Sequence, residues 1–233
     1  MSEILKINNL SGGYKEDVPI LHDISMEVQK GEAVGIIGLN GSGKSTFGKA
    51  IMNMIPYRYG TLFFEDEDIT LLTTSQLSHC GISIMQQGGK VFPTLSVWDN
   101  LQLASRNSSL FTLHSSLQDI IPLLQQPERK LRSMMADKLS GGQKHQLSLA
   151  MTLATNPRLV ILDEPSAGLS PKAVEDMYVM LRAVRENLGV TIILIEQNIA
   201  KAVEFCGINY LLSQGRVSNS YYNINSINKE LFK

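Results

Sequence analysis

Three short runs of apolar or β-branched residues recur along the chain, at positions 33–37, 159–162 and 191–195. Strands of a sheet that is covered on both faces show continuous runs of this kind, because neither side of the strand meets solvent. Segments with helical spacing separate the runs, and breaks that contain Gly, Asn and Pro punctuate them. The pattern therefore predicts an α/β domain.

The first 30 residues show a different pattern. Apolar stretches at positions 4–7 and 24–28 flank the turn-forming pairs Gly12-Gly13 and Val18-Pro19. Glycine and proline pairs of this kind end strands and reverse the chain. We therefore expect an antiparallel β arm at the N-terminus.

A third pattern covers positions 96–138, where no strand pattern is present. Apolar residues recur there at helical spacing, which indicates a helical insertion. They are Leu117, Ile120, Ile121 and Leu124. We expect one domain over residues 1–233, with the core and β arm at about 1–87 and 156–233 and a helical subdomain at about 88–155.

The composition narrows the possible functions. The 233 residues include 21 Lys and Arg against 22 Asp and Glu, so the chain lacks the basic excess that binding to nucleic acid usually requires. Its apolar runs are far shorter than the roughly 18 residues of a membrane-spanning helix. The N-terminus lacks the basic and apolar regions of a secretory leader. These features predict a cytosolic globular chain without a nucleic-acid partner.

The segment directly after the first predicted core strand matches the pattern G-x-x-x-x-G-K-[ST]. Its glycines let the loop curl until backbone N–H groups point inward at a phosphate chain, and the positive end of the following helix points to the same place. Lys44 would reach the β- and γ-phosphates of a nucleotide, and the Ser45 hydroxyl would ligate Mg²⁺. The residues expected to bind phosphate are Gly38, Asn40, Gly41, Ser42, Gly43, Lys44, Ser45 and Thr46.

Two adjacent carboxylates follow the second predicted core strand. Asp163 lies at the carboxyl end of that strand, where it can hold Mg²⁺ through water. Its neighbour Glu164 can accept a proton from the water that attacks the γ-phosphate, or can orient that water. Together with the phosphate loop, this pair predicts hydrolysis of a nucleoside triphosphate.

A third motif, LSGGQ at positions 139–143, precedes a predicted helix that ends at Asn156-Pro157. Small residues before a helix leave backbone N–H groups and the Ser140 hydroxyl free to bind phosphate oxygens. With the phosphate loop upstream and Asp163 downstream, the motif resembles the signature of ABC-type ATPases. This resemblance implies a P-loop NTPase core of the RecA type, with an antiparallel β arm and an inserted helical subdomain. It also implies ATP and Mg²⁺ as cofactors.

The resemblance further implies a dimer. In ABC ATPases two subunits pair head to tail, and the signature of one subunit contacts the nucleotide bound to the phosphate loop of the other. Carried over by motif, Ser140, Gly142 and Gln143 would contact the nucleotide of the second subunit.

Two more residues match the family pattern. Tyr14 falls where the family keeps an aromatic that stacks on adenine, and its alternative role is packing within the arm. Gln87 falls at the glutamine that contacts Mg²⁺ and couples the site to a membrane partner. The neighbouring Gln86 competes for that assignment, but the alignment of Gly88 favours Gln87.

Two departures narrow the subfamily. Most ABC ATPases have a histidine after the last core strand that contacts the γ-phosphate, and Gln197 occupies that position here. An amide donates a hydrogen bond but carries no charge. Ser170 stands where many relatives have aspartate. With the run GGKVFPTLSVWDNL at positions 88–101, these departures resemble the ATP-binding subunits of branched-chain amino-acid and urea importers, from which Gly89 differs.

The importer resemblance implies several partners. They are transmembrane permease subunits, a second ABC ATPase in a homodimer or heterodimer, and indirectly a substrate-binding protein. The chain would lie in the cytoplasm, attached through the permease to the inner face of the cell membrane. Two alternatives share the core motifs, namely a soluble ABC ATPase of the iron–sulfur assembly type and the ATPase subunit of an exporter.

Overall fold

The structure, a computed structural model, describes residues 2–105 and 117–221. In chain order the strands are β1 (Glu3–Gly13), β2 (Leu21–Gln29), β3 (Ala33–Ile37), β4 (Tyr57–Phe64), β5 (Glu67–Asp68), β6 (Ile82–Met85), β7 (Leu159–Asp163), β8 (Thr191–Glu196), β9 (Ile208–Ser213) and β10 (Arg216–Tyr221). The helices are α1 (Lys44–Ile51), α2 (Thr74–His79), α3 (Val97–Ala104), α4 (Glu128–Ser133), α5 (Gly141–Leu153), α6 (Pro171–Leu188) and α7 (Ile199–Phe205). Short 3-10 helices cover Pro122–Gln125 and Ala136–Lys138. No helix in the described ranges is long and apolar enough to cross a membrane.

A six-stranded sheet with the order β10-β9-β3-β8-β7-β6 forms the core. Neighbouring strands from β9 to β6 run parallel, whereas β10 pairs antiparallel with β9. Every residue of β3, β7 and β8 is buried, which confirms the α/β fold and the three predicted core strands. The apolar pattern does not predict β6 and β9, because polar residues such as Ser83 and Asn209 interrupt their apolar runs.

A four-stranded sheet with the order β2-β1-β4-β5 forms the predicted antiparallel arm. β1 pairs antiparallel with both β2 and β4, so that Leu5 lies beside Val28 on one side and Phe64 on the other. The arm packs over α1 and the core sheet, since the fully buried Phe47 shares one apolar cluster with Leu5 and Ile161. The arm is thus confirmed, and it includes β4 and β5, which lie beyond the first 30 residues.

The described residues between β6 and β7 form helices and turns, as the sequence pattern predicts. The four apolar residues found at helical spacing are all buried in one cluster, and they are Leu117, Ile120, Ile121 and Leu124. They do not form one helix, because the chain turns after Leu117 and continues as a 3-10 helix from Pro122. Proline lacks the N–H group that a continuing α-helix needs. Positions 106–116 of the expected insertion lie outside the described residues.

Parallel pairing brings three loops to one edge of the core sheet. Ile37 at the end of β3 lies in register with Glu196 at the end of β8, and Asp163 at the end of β7 lies in register with Ile195. Ligands of open α/β sheets bind at the carboxyl ends of the strands. The segments that follow β3, β7 and β8 therefore frame a single site.

Gly38 begins the phosphate loop and lies against β9. A Cβ atom at this position would lie 2.3 Å from the carbonyl oxygen of Leu212, which is a backbone atom and cannot rotate away. We expect Gly38→Ala to lower the free energy of unfolding by about 1–3 kcal/mol, the usual cost of overpacking. Urea unfolding followed by circular dichroism measures the free energy of unfolding of each variant. Gly207→Ala is the matched control, because no atom lies within 4 Å of its added Cβ; equal losses in both variants would contradict this explanation.

Candidate active site

The loop between β3 and α1 forms a cradle of backbone N–H groups. Gly41 and Gly43 adopt positive φ angles of 79° and 103°, which glycine accepts without steric cost. The Phe47 N–H donates to the carbonyl oxygen of Gly43 at 2.8 Å. The N–H groups of the first three helical residues have no acceptor within the helix, and they lie at its positive end. This loop therefore has the geometry of an anion-binding site.

Lys44 lies inside this loop, with a side chain that is 4% exposed. Its Nζ donates to the carbonyl oxygens of Gly38 at 3.0 Å and Leu39 at 3.1 Å. Nζ also lies 3.7 Å from Oε1 of Glu164. These contacts hold one positive charge at the floor of the loop, where phosphate oxygens could replace the carbonyl acceptors.

Ser45 and Asp163 come together from two different elements, the start of α1 and the end of β7. Ser45 Oγ donates to Oδ1 of Asp163 at 2.9 Å. Asp163 is 3% exposed, and burial raises the pKa of its carboxyl although the Ser45 hydrogen bond opposes that shift. A nearby cation would favour the ionised carboxylate.

The Ser45–Asp163 pair fits Mg²⁺. Both atoms are hard oxygen ligands, and Mg²⁺ is usually held by one or two protein oxygens together with waters and substrate phosphates. The described residues contain no group of three or more His, Cys, Asp or Glu side chains that could hold a metal by themselves. The donor set present therefore matches a cation that shares its ligands with a bound nucleotide.

Glu164 occupies the centre of the site. Its backbone has a φ of 47°, which is unusual for a residue with a side chain, and its N–H donates to the carbonyl oxygen of Ile195 at 2.9 Å. Gln87, on the segment after β6, donates from Nε2 to Glu164 Oε2 at 2.6 Å. The neighbouring Gln86 instead lines a separate cavity of about 540 Å³, together with Met85. Of the two candidate glutamines, Gln87 is the one at the site.

Two adjoining cavities share the Glu164 side chain. The first, of about 390 Å³, is lined by Ile20, Asn40, Gly41, Gly43, Lys44, Ser45, Thr46, Gln87 and Glu164. The second, of about 360 Å³, is lined by Glu164, Ser166, Ala167, Glu196, Gln197 and Asn198. Gln197, itself exposed, thus lies on the other side of Glu164 from the phosphate loop.

Tyr14 and the three signature residues do not line the phosphate-loop cavity. Tyr14 is 47% exposed and does not line it. Ser140, Gly142 and Gln143 begin α5. There the Gln143 N–H donates to Ser140 Oγ at 3.2 Å, and the Ser140 N–H donates to Gln143 Oε1 at 3.0 Å. This reciprocal cap fixes the start of α5 without bringing it to the nucleotide loop of the same chain.

The sequence patterns do not indicate three further residues that lie at the site or next to it. Ile20 lines the first cavity from the arm, and Glu196 lines the second. His145, on α5, is buried, and its Cδ2 lies 2.2 Å from where a Cβ of Gly89 would be. Gly89 has a φ of 58°, a backbone conformation that favours glycine. Because it has no Cβ, the segment after Gln87 can pack closely on α5. The charge at the end of a buried strand could have indicated Glu196, whereas no local pattern indicates the other two.

Comparison with known proteins places these motifs in context. The profile described as "ABC transporter" matches residues 21–167. A "Probable branched-chain amino acid transport ATP-binding protein LivF" of Archaeoglobus fulgidus is 34% identical over 92% of this chain and 90% of the relative. The branched-chain amino acid transport protein BraG of Pseudomonas aeruginosa is 32% identical over 88% and 87%. The lipopolysaccharide export protein LptB of Escherichia coli is 30% identical over 91% and 88%.

Solved structures show the same fold. A nucleotide-free ATP-binding cassette from an ABC transporter has a TM-score of 0.80 and 26% identity, and the match covers 100% of this chain and 96% of that one. The ADP conformation of the ABC transporter cassette MJ1267 has a TM-score of 0.77 and 26% identity, with the same coverage. The expected RecA-type core with an antiparallel arm and helical insertion is confirmed.

Burial lowers the pKa of His145 below its ordinary value of 6.5. The unfolded chain therefore binds this proton at a higher pH than the folded chain, and stability is lost as the pH falls below about 6.5. We expect the free energy of unfolding to fall between pH 7 and pH 5 more steeply in the wild type than in His145→Gln, by up to about 1.4 kcal/mol per pH unit. Urea unfolding at pH 7, 6 and 5 measures this slope. Identical slopes in the wild type and His145→Gln would refute the effect.

Proposed function

Since this chain belongs to the ABC transporter family and is an ATP-hydrolysing subunit of a transporter, we propose that it energises uptake through a separate membrane permease. The solute is a branched-chain amino acid or a related small polar molecule. One observation carries the ATP-hydrolysing part of this role: three side chains meet at one cavity, with a hydroxyl–carboxylate pair beside them. These residues are Lys44, Gln87, Glu164, Ser45 and Asp163.

In the proposed reaction the phosphate loop binds ATP. Its N–H groups and Lys44 contact the β- and γ-phosphate oxygens, because they are the donors that line the cavity floor. Ser45, Asp163 and Gln87 are the residues that would hold Mg²⁺. When bound, the cation would supply positive charge to offset that of the phosphates. The chain itself contributes mainly orientation and preorganised charge.

Glu164 orients the attacking water and accepts its proton. Gln87 donates to one carboxylate oxygen and Lys44 lies near the other, so the side chain is held in place before ATP arrives. Gln197 lies across the second cavity from the phosphate loop and donates its amide N–H to the γ-phosphate.

A second ABC ATPase, identical or different, completes the nucleotide site. Ser140, Gly142 and Gln143 lie outside the cavity of their own chain, and the capped start of α5 leaves backbone N–H groups for an anion on another subunit. Tyr14 is exposed enough to stack on adenine. Closure of the dimer around two ATP molecules is the step that permits hydrolysis.

The domain boundaries proposed from the sequence apply to this role. The proposed helical subdomain lies at about 88–155, and the proposed core and arm lie at about 1–87 and 156–233. Gln87 lies at the boundary and links the nucleotide site to the permease. The subunit lies on the cytoplasmic face of the membrane, and a substrate-binding protein delivers the solute to the permease from the other side.

Similarity to relatives supports uptake and also provides one alternative. Two of the relatives described above are branched-chain amino acid transport proteins, at 34% and 32% identity. Glu196, Gln197 and the 88–101 run favour the same subgroup. The lipopolysaccharide export protein LptB is 30% identical, so the ATPase subunit of an exporter is the second candidate.

Glu164→Gln tests the catalytic assignment. The amide still accepts a hydrogen bond from Gln87 but cannot take the proton of water, so we expect ATP turnover to fall by about 100-fold or more. ATP should then hold the protein as a dimer, which size-exclusion chromatography with MgATP detects. Glu175→Gln, at an exposed carboxylate on α6, should hydrolyse ATP at the wild-type rate. Rapid steady hydrolysis by Glu164→Gln would remove Glu164 from this role.

A cell that lacks this chain tests the transport assignment. We expect uptake of radiolabelled leucine to fall, and the wild-type chain but not Lys44→Ala to restore it, because Lys44 supplies the positive charge at the phosphates. Tagged wild-type chain should also co-purify with a permease from detergent-solubilised membranes. Unchanged uptake of leucine, isoleucine and valine would exclude this substrate class, and intracellular accumulation of another compound would favour export.

A further inference from the structure

We propose that Glu196 is a positioning residue that locks together the two loops on either side of Glu164. The inference rests on the proposed catalytic role of Glu164. Glu196 is the last residue of β8 and is 3% exposed. It lines the second cavity beside Gln197, but its own carboxylate is occupied by groups of the protein. Its effect on hydrolysis would therefore be exerted through the residues it holds.

The Glu196 carboxylate accepts hydrogen bonds from two separate segments. Oε2 accepts from the backbone N–H of Gln197 at 2.9 Å and of Asn198 at 3.1 Å, where the chain enters α7. Oε1 accepts from the hydroxyl of Ser166, on the loop that follows β7. One buried side chain thus joins the loop after β8 to the loop after β7.

Ser166 belongs to the turn that sets the backbone of Glu164. The Ala167 N–H donates to the carbonyl oxygen of Glu164 at 3.1 Å and closes this turn, within which Glu164 has its positive φ. The Glu164 N–H donates to Ile195, the residue directly before Glu196. The turn is therefore tied to the end of β8 at two points, one through the backbone and one through the Ser166–Glu196 hydrogen bond. Holding an uncommon backbone conformation requires such surrounding contacts.

The surroundings make Glu196 a structural acceptor rather than a free base. Within the described residues its carboxylate forms no ion pair, so the three donors are what compensate its burial. The hydroxyl of Tyr178, on α6, is buried close to the Glu196 carboxylate. Burial, and secondly the charge of Glu196, raises the pKa of this phenol. A buried carboxylate is costly to leave without hydrogen-bond donors, so the three donors to Glu196 stabilise its position.

Removal of the acceptor should affect turnover and leave ATP binding intact. In Glu196→Ala we expect kcat to fall about tenfold or more, since small displacements of reacting groups cost large factors in rate. KM for ATP should stay within about threefold, because the phosphate loop does not contact Glu196. Ser166→Ala breaks the cross-link from the other side and should also lower kcat without raising KM.

Glu196→Gln separates geometry from charge. The amide oxygen can accept from both backbone N–H groups and the NH₂ group can donate to Ser166 Oγ, so all three links can persist. We expect kcat of this variant within about threefold of wild type. Glu204→Ala is the matched control, because it removes a carboxylate on α7 that forms exposed ion pairs with Arg182 and Lys201. Its kcat should equal that of the wild type.

Hydrogen exchange of the amides provides a readout that does not depend on hydrolysis. The N–H groups of Gln197 and Asn198 should exchange faster in Glu196→Ala than in wild type, and at the wild-type rate in Glu196→Gln. Wild-type kcat in Glu196→Ala, or an equal loss in Glu196→Ala and Glu196→Gln, would overturn the positioning role. Failure of the proposed function would look different, because the wild-type chain itself would then show no ATP turnover.

Discussion

Parallel pairing of β3, β8 and β7 is the constraint on which the site depends. Because the three strands run in the same direction and in register, Ile37, Glu196 and Asp163 end their strands at one edge of the sheet. Each loop that leaves this edge then supplies one function: a phosphate cradle after β3, the acid pair at β7, and an amide at β8. An antiparallel strand in the middle of this sheet would carry its loop to the opposite edge. The helices and the arm cover both faces of the sheet, so its central strands can be apolar along their length. The polar groups of the site lie at the ends of these strands.

Three carboxylates lie close together at this edge, and their hydrogen-bond donors differ. Among the described residues a single hydroxyl donates to Asp163, and this environment fits a hydrated cation. Glu164 lies between Gln87 and Lys44 and lines both cavities. Glu196 is occupied by backbone and hydroxyl donors. Sequence position alone does not distinguish these three environments.

The near-neutral net charge of −1 is consistent with a site whose phosphate affinity comes from one lysine and a set of backbone amides.

Much of the fold follows from local patterns. Continuous apolar runs predict β3, β7 and β8, and glycine and proline breaks predict the arm, because strand burial and chain reversal are encoded by neighbouring residues. The stretch with helical spacing that ends at Leu124 shows that spacing predicts which residues are buried but not the backbone that carries them. Its four apolar residues reach the core, but Pro122 changes the backbone that carries them there. Short strands with polar interruptions, such as β9, become strands through pairing with neighbours far away in the sequence.

The phosphate loop, the Asp163-Glu164 pair and the ABC signature can be identified from the sequence, because each is a contiguous motif whose chemistry lies in its own residues. Tertiary packing brings Gln87, the glutamine that the alignment favours, to Glu164, and it places the start of α5 outside the cavity of its own chain. It also joined Ser166 to Glu196 and fitted Gly89 against His145. These contacts bridge residues that are far apart in the chain, and only the packed sheet with its helices brings such residues within hydrogen-bond or van der Waals distance.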